Sequence, residues 1–212
     1  MTAIIMFEGI PTSGKTVLKD LVARIFSGQK RTVEDISKEE FHQPFLARND
    51  PKDQSPFDNA SGHLLSLLQQ HTKKNPDIIL SFHSPFFYLA TNNMRGKKET
   101  LLHEYHEVES FLEIFPTLIV YLEIEGRYIL PCFQKRLARN DETDIFPELL
   151  QAKGTEFSQL AYYQRKQGIY NEQLSRTKLH FLHLHIKKET KYEELAELVV
   201  RKIRELEGGF GR

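Results

Sequence analysis

The chain has 212 residues, 40% hydrophobic and 27% charged, an ordinary balance for one globular domain with a sizeable core. Its 29 Lys and Arg match 29 Asp and Glu, so the formal charge is zero, which argues against a generally basic nucleic-acid binder. Cys132 is the single cysteine and excludes an intrachain disulfide; no apolar run reaches membrane-span length, and no basic signal-peptide segment opens the chain, so a cytoplasmic setting is expected.

Residues 2–7 (TAIIMF) form an apolar run of strand length. Gly9-Ile10-Pro11-Thr12-Ser13-Gly14-Lys15-Thr16 follows at once and reads G-x-x-x-x-G-K-T, the phosphate-binding loop pattern. Val17, Leu18, Leu21, Val22, Ile25 and Phe26 then repeat at helical spacing, with Gly28 as the expected C′ residue. Strand, glycine-bounded loop and helix are what such a loop requires. Its backbone N–H groups turn inward, and the helix N-terminus adds partial positive charge. Lys15 can reach the outer phosphates of a nucleotide, and the Thr16 hydroxyl can ligate Mg2+.

Residues 30–37 (KRTVEDIS) predict a second strand. Ser37 and Glu40 have the outline of a capping box opening a short helix through Ala47. Residues 49–62 are turn-rich and predict a loop over a site. A helix follows to about Lys74 and is broken at Asn75-Pro76-Asp77. Residues 77–82 (DIILSF) predict the third strand. Residues 84–98 carry no clear period; 94–98 (MRGKK) read as a basic loop. A helix from about Leu101 ends at Pro116, and residues 117–124 (TLIVYLEI) are the clearest strand, the fourth. A helix over 128–139, an irregular acidic stretch over 140–154 and a long helix opening at Thr155 come next. Residues 179–186 (LHFLHLHI) predict the fifth strand, Tyr192 to Leu206 mark a last amphipathic helix, and 208–212 read as a frayed end. Alternating strands and helices imply a parallel sheet covered on both faces, with a ligand at the carboxyl ends of its strands.

Phe7-Glu8 with the loop GIPTSGKT, the fourth strand, and a helix ending in Lys135-Arg136-Leu137-Ala138-Arg139 together resemble the thymidylate kinases and deoxynucleoside kinases. The long helix with Tyr162, Tyr163, Gln164, Arg165 and Tyr170 is similar in place and composition. The resemblance implies an α/β three-layer P-loop NTPase fold, strand order 2-3-1-4-5, in one domain over 1–212 with a lid at about 135–156. It implies ATP and Mg2+, and transfer of the γ-phosphate to a nucleoside or nucleoside monophosphate. It also implies a homodimer, the common state of related kinases, with neither membrane nor nucleic acid as partner. The chain departs from the family at Pro11, where an Asp is usual. It departs again at Ser81-Phe82-His83-Ser84, where an acidic residue and an Arg are usual. Those departures leave two alternatives open: a nucleotide-binding regulatory module with little catalysis, and a kinase for a non-nucleotide acceptor.

Several side chains are candidates on this frame. Gly9 through Val17 bind the nucleotide. Arg136 and Arg139 share a helical face and suit phosphate oxygens. The resemblance implies a carboxylate after the second strand that takes the acceptor's proton; strand alternation turns Glu34 and Asp35 to opposite faces, so at most one points into the site, and Asp35 is the candidate. Arg48, His83 and Arg95 are candidate acceptor contacts. Phe82, Phe86, Phe87 and Tyr88 suit either base stacking or the core. His183 and His185 share a strand face opposite His180; a metal would need a third convergent ligand, the sequence shows none, and the three are read as structural.

Overall fold

A computed structural model describes residues 1–46, 60–94, 102–137 and 156–210. Its centre is a five-stranded sheet of order β2-β3-β1-β4-β5, every pairing parallel. The strands are β1 (Ala3–Glu8), β2 (Val33–Ile36), β3 (Ile78–Ser81), β4 (Thr117–Ile124) and β5 (His180–Ile186). Strand β1 lies between β3 and β4, with Ile5 opposite both Leu80 and Leu118. A central strand covered on both faces cannot alternate, which is why every residue of β1 is buried. Edge strand β5 does alternate: Leu184 and Ile186 are buried, while His185 is exposed.

The described residues hold helices α1 (Lys15–Gly28), α2 (Lys38–Leu46), α3 (Ala60–Thr72), α4 (Pro85–Met94), α5 (Leu102–Leu112), α6 (Gly126–Leu137), α7 (Glu156–Leu174) and α8 (Tyr192–Gly209). Helices α1 and α8 pack together, and α8 also reaches β1 and β4. Helix α3 packs on α4 and α5, and α7 on α4 and α6, building a second layer. The α/β architecture read from the sequence, and the strand order that the resemblance implies, are therefore present. No helix among the described residues is long and apolar enough to cross a membrane.

Local chemistry explains the boundaries. The Ser37 hydroxyl accepts the Glu40 N–H at 3.1 Å, and Glu40 Oε2 accepts the Ser37 N–H at 2.9 Å, a complete capping box. Asn75 takes the left-handed conformation (φ 54°) where α3 stops. Several readings of the sequence change. Helix α1 continues through Gly28, and Lys30 (φ 60°) makes the left-handed turn instead. Residues 85–94 are helical: Ser84 caps α4 by accepting the Phe86 N–H at 3.2 Å, and Pro85 fills the first position, where its missing N–H costs nothing. Helix α8 runs on to Gly209, so the tail at 208–209 is helical and not frayed. Of the loop expected over 49–62, residues 60–62 open helix α3 instead, and 49–59 lie outside the described residues, as do 138–155 of the lid expected at about 135–156.

Candidate functional site

The loop from Gly9 to Thr16 joins the carboxyl end of β1 to α1, at the middle of the sheet. Its glycines are required by geometry. Gly9 (φ 144°) lies so close to β4 that a Cβ there would stand 2.5 Å from the Leu122 carbonyl oxygen. Gly14 (φ 85°) lies under Tyr192, and its Cβ would stand 2.2 Å from the Tyr192 hydroxyl oxygen. That hydroxyl donates to the Ser13 carbonyl at 3.1 Å, so the first residue of α8 roofs the loop. Thr12 also has positive φ, 71°.

Gly14 is the N-cap of α1 and supplies no side-chain cap, and the first turn carries no acidic residue. Uncapped N–H groups and the positive end of the helix dipole therefore face the loop. The Thr12 and Ser13 hydroxyls are buried and have no hydrogen-bond partner among the described residues. Lys15 is buried, and its Nζ donates to the carbonyls of Gly9 (2.7 Å) and Ile10 (3.0 Å), 5.6 Å from the Phe82 ring centre. Ile10 is buried, Pro11 is half-buried, and Thr16 and Val17 are exposed. A cradle of inward amides, unsatisfied hydroxyls and one ammonium fits the phosphates of a nucleotide.

Beneath the loop is Glu8, fully buried at the end of β1. Its Oε1 accepts the Gly9 N–H at 2.9 Å, and its Oε2 accepts the N–H (3.2 Å) and hydroxyl (2.8 Å) of Ser84. His83 Nδ1 stands 3.5 Å from Oε1, long for a hydrogen bond but close for electrostatics. Burial pushes the Glu8 pKa up, but His83, Lys15 and the Gly9 N–H outweigh it, so the carboxyl ionises below its usual range. Burial pushes His83 down to about 4, against the pull of Glu8. At neutral pH the pair is an ionised carboxylate beside a neutral imidazole. The Ser81 hydroxyl donates to the His83 carbonyl at 2.7 Å and holds the turn closed.

Beyond His83 the site becomes aromatic and cationic. His83 lies 4.0 Å from the Phe87 ring centre and 5.5 Å from that of His42. Phe41 stacks on Tyr88 at 5.0 Å, so these aromatics are packed core as well as site wall. Lys166 of α7, only 6% exposed, places Nζ 4.6 Å from the Phe87 ring centre and 3.4 Å from the Thr91 hydroxyl. Burial lowers its pKa to about 8, and Glu8 opposes that shift. His42 is pushed down to about 2 by burial, then by the positive surroundings of His83, Lys38, Lys15 and Lys166. Several nitrogen groups thus converge on one place next to the loop from Gly9 to Thr16.

The other sequence candidates are distributed differently. Asp35 pairs with Lys19 of α1 and is half-exposed. Glu34 turns the opposite way, as strand alternation requires, to Lys74 (2.7 Å) and His71 (3.0 Å) of the α3 side. Arg136 belongs to the last turn of α6. Arg48, Arg95 and Arg139 lie outside the described residues. Sequence reasoning missed Lys166, His42 and Tyr192. Lys166 did leave a signal: it stands three and four residues from Tyr163 and Tyr170, on the apolar stripe of α7, where a lysine is costly.

No known protein family matches the chain by its sequence profile, and no curated protein is detectably similar to it in sequence. Its fold is similar to that of YorR from Bacillus subtilis, solved in complex with phosphorylated GDP, with a TM-score of 0.57 over 99% of both chains. The two share 16% sequence identity, so the likeness is one of fold.

Proposed function

We propose that this chain is an ATP-dependent phosphotransferase that moves the γ-phosphate of Mg-ATP to a nucleoside or nucleoside monophosphate. The observation that carries the reading is the loop from Gly9 to Thr16, with both glycines at positive φ, an uncapped helix behind it and a buried Lys15 beside it. A structural neighbour that holds phosphorylated GDP supports a nucleotide as ligand. In this reading the loop from Gly9 through Val17 and the Lys15 ammonium hold the phosphates of ATP, and the Thr16 hydroxyl ligates Mg2+. Lys15, Arg136 and Arg139 balance the charge on the transferring group, and Asp35 takes the acceptor's proton after releasing Lys19. Arg48, His83 and Arg95 contact the acceptor. Lys166 joins them, which favours an acceptor that already carries negative charge, a monophosphate over a nucleoside.

The test is release of ADP from Mg-ATP in the presence of a panel of nucleosides and nucleoside monophosphates. The reading expects one class to stimulate turnover, Lys15→Ala to abolish it, and Asp35→Asn and Arg139→Ala to reduce it. A second reading, a nucleotide-binding module with little catalysis, is favoured by Ser81-Phe82-His83-Ser84, a turn that closes on itself and on Glu8 without a free acid. Tight ATP binding with no acceptor-stimulated turnover would select that reading instead.

A further inference from the structure

We propose that Glu123, His183 and His185 form a site for one divalent transition-metal ion of the zinc class, separate from the phosphate-binding loop. Strand pairing assembles it. Glu123 of β4 lies opposite His185 of β5, and His183 lies opposite Tyr121, two residues before Glu123. The period of two along each strand turns all three side chains to the same face. One ligand atom from each lies within 4.8 Å of the others. Glu123 Oε2 is 2.7 Å from His183 Nε2 and 3.4 Å from His185 Nδ1. A four-coordinate zinc with bonds of about 2.0–2.2 Å holds its ligand atoms roughly 3.3 Å apart, so small side-chain rotations suffice.

The surroundings support a metal over a simple histidine–carboxylate pair. The second oxygen of Glu123 accepts from Asn171 Nδ2 at 3.1 Å, which orients the carboxylate and leaves Oε2 for the ion. His183 packs 5.0 Å from the Tyr121 ring and is fixed from behind. The two imidazoles lie 4.3 Å apart, and one carboxylate oxygen faces a ring nitrogen of each. A dication between them satisfies both nitrogens at once. Two imidazoles and one carboxylate suit Zn2+ and its neighbours, not Mg2+ or Ca2+. His185 is exposed, so the remaining coordination positions open to solvent.

The experiment uses tag-free, metal-stripped full-length protein without nucleotide, titrated with Co2+ and followed by its visible absorption, then by competition with Zn2+. The expected result is one saturable equivalent. His185→Gln and Glu123→Gln should each weaken it by about tenfold or more, and Asn171→Ala should weaken it by up to about tenfold. His180→Gln, on the opposite face, and Thr16→Ala should leave it unchanged. His185 is exposed, so its variant should match the wild type in melting temperature without metal, and Zn2+ should raise that temperature in the wild type alone. Absence of saturable uptake, or undiminished affinity in His185→Gln and Glu123→Gln, overturns the site.

Discussion

The carboxylate of Glu8 accepts both the N–H and the hydroxyl of Ser84, at 3.2 and 2.8 Å, while its other oxygen accepts the Gly9 N–H. One buried anion thus ties the start of the loop at Gly9 to the exit of β3. The turn Ser81-Phe82-His83-Ser84 therefore serves the loop: its serine takes the carboxylate that a basic side chain could otherwise have paired. Replacing Glu8 by Gln should destabilise the fold by about 2 kcal/mol at pH 7, since hydrogen bonds to a charged group are lost and a donor enters a donor-rich pocket. The Glu8 pKa is lowered on folding, so its stabilisation is complete above the ordinary value of 4.5 and fades as pH falls through the lower folded value. Urea unfolding of both proteins should show a gap that is constant from pH 7 to 6 and narrows below about 4.5. A gap that widens in acid would refute this account.

The two buried histidines set a second pH dependence. His83 titrates at about 4 and His42 at about 2 in the folded chain, against 6.5 for an ordinary imidazole. Between those values the unfolded chain binds protons that the folded one does not, so stability rises with pH across this window. It falls by up to about 1.4 kcal/mol per pH unit per histidine on acidification. Unfolding free energies measured from pH 7 to 4 should slope downward in the wild type and flatten in a His42→Asn, His83→Asn double variant. An unchanged slope in that variant would assign the acid sensitivity elsewhere.

Gly14→Ala should damage the loop twice. A residue with a Cβ is strained at φ 85°, and the added methyl meets the Tyr192 ring. The strain alone costs on the order of 1–2 kcal/mol. Adding Tyr192→Ala removes the collision but not the strain, so the pair should recover part of the lost melting temperature while ATP affinity stays low. Full recovery of both would mean that crowding alone requires glycine here.

The loop and β4 were legible because each rests on a local pattern: fixed glycines, strand-length apolar runs, Pro116 before the fourth strand. The sheet order depends on how distant strands pair, and only the family resemblance implied it. The capping box of α2 was equally readable. What stayed hidden depends on contacts between distant segments. Lys166 looked like one charge among many on α7 until α4 brought Phe87 and Thr91 against it. Tyr192 looked like the first apolar position of the last helix, though its hydroxyl reaches Ser13. His183 and His185 lacked a third ligand in sequence because Glu123 comes from the neighbouring strand. Helix α4 was missed although Ser84-Pro85 is a start signal, because its apolar residues follow one another without a helical period.

Lys166 is where stability and the proposed activity should part. Burial lowers its pKa from 10.5 to about 8, so the folded state bears a charge that the interior disfavours. A folded pKa below the unfolded one means this penalty is fully present below pH 8 and fades as pH rises to 10.5. Lys166→Met keeps the length of the side chain and removes the charge. At pH 7 it should stabilise the fold by up to about 3 kcal/mol, the linkage value of the shift, and the gain should vanish near pH 10.5. The same variant should raise the KM for a monophosphate acceptor by about tenfold or more while leaving ATP affinity unchanged, since Lys15 and the loop are untouched. Urea unfolding at pH 7 and 10 and acceptor-dependent ADP release test the two halves separately. A destabilised Lys166→Met at pH 7 would mean that the ammonium is well solvated or paired, and that no bound anion is needed to explain its place in the core.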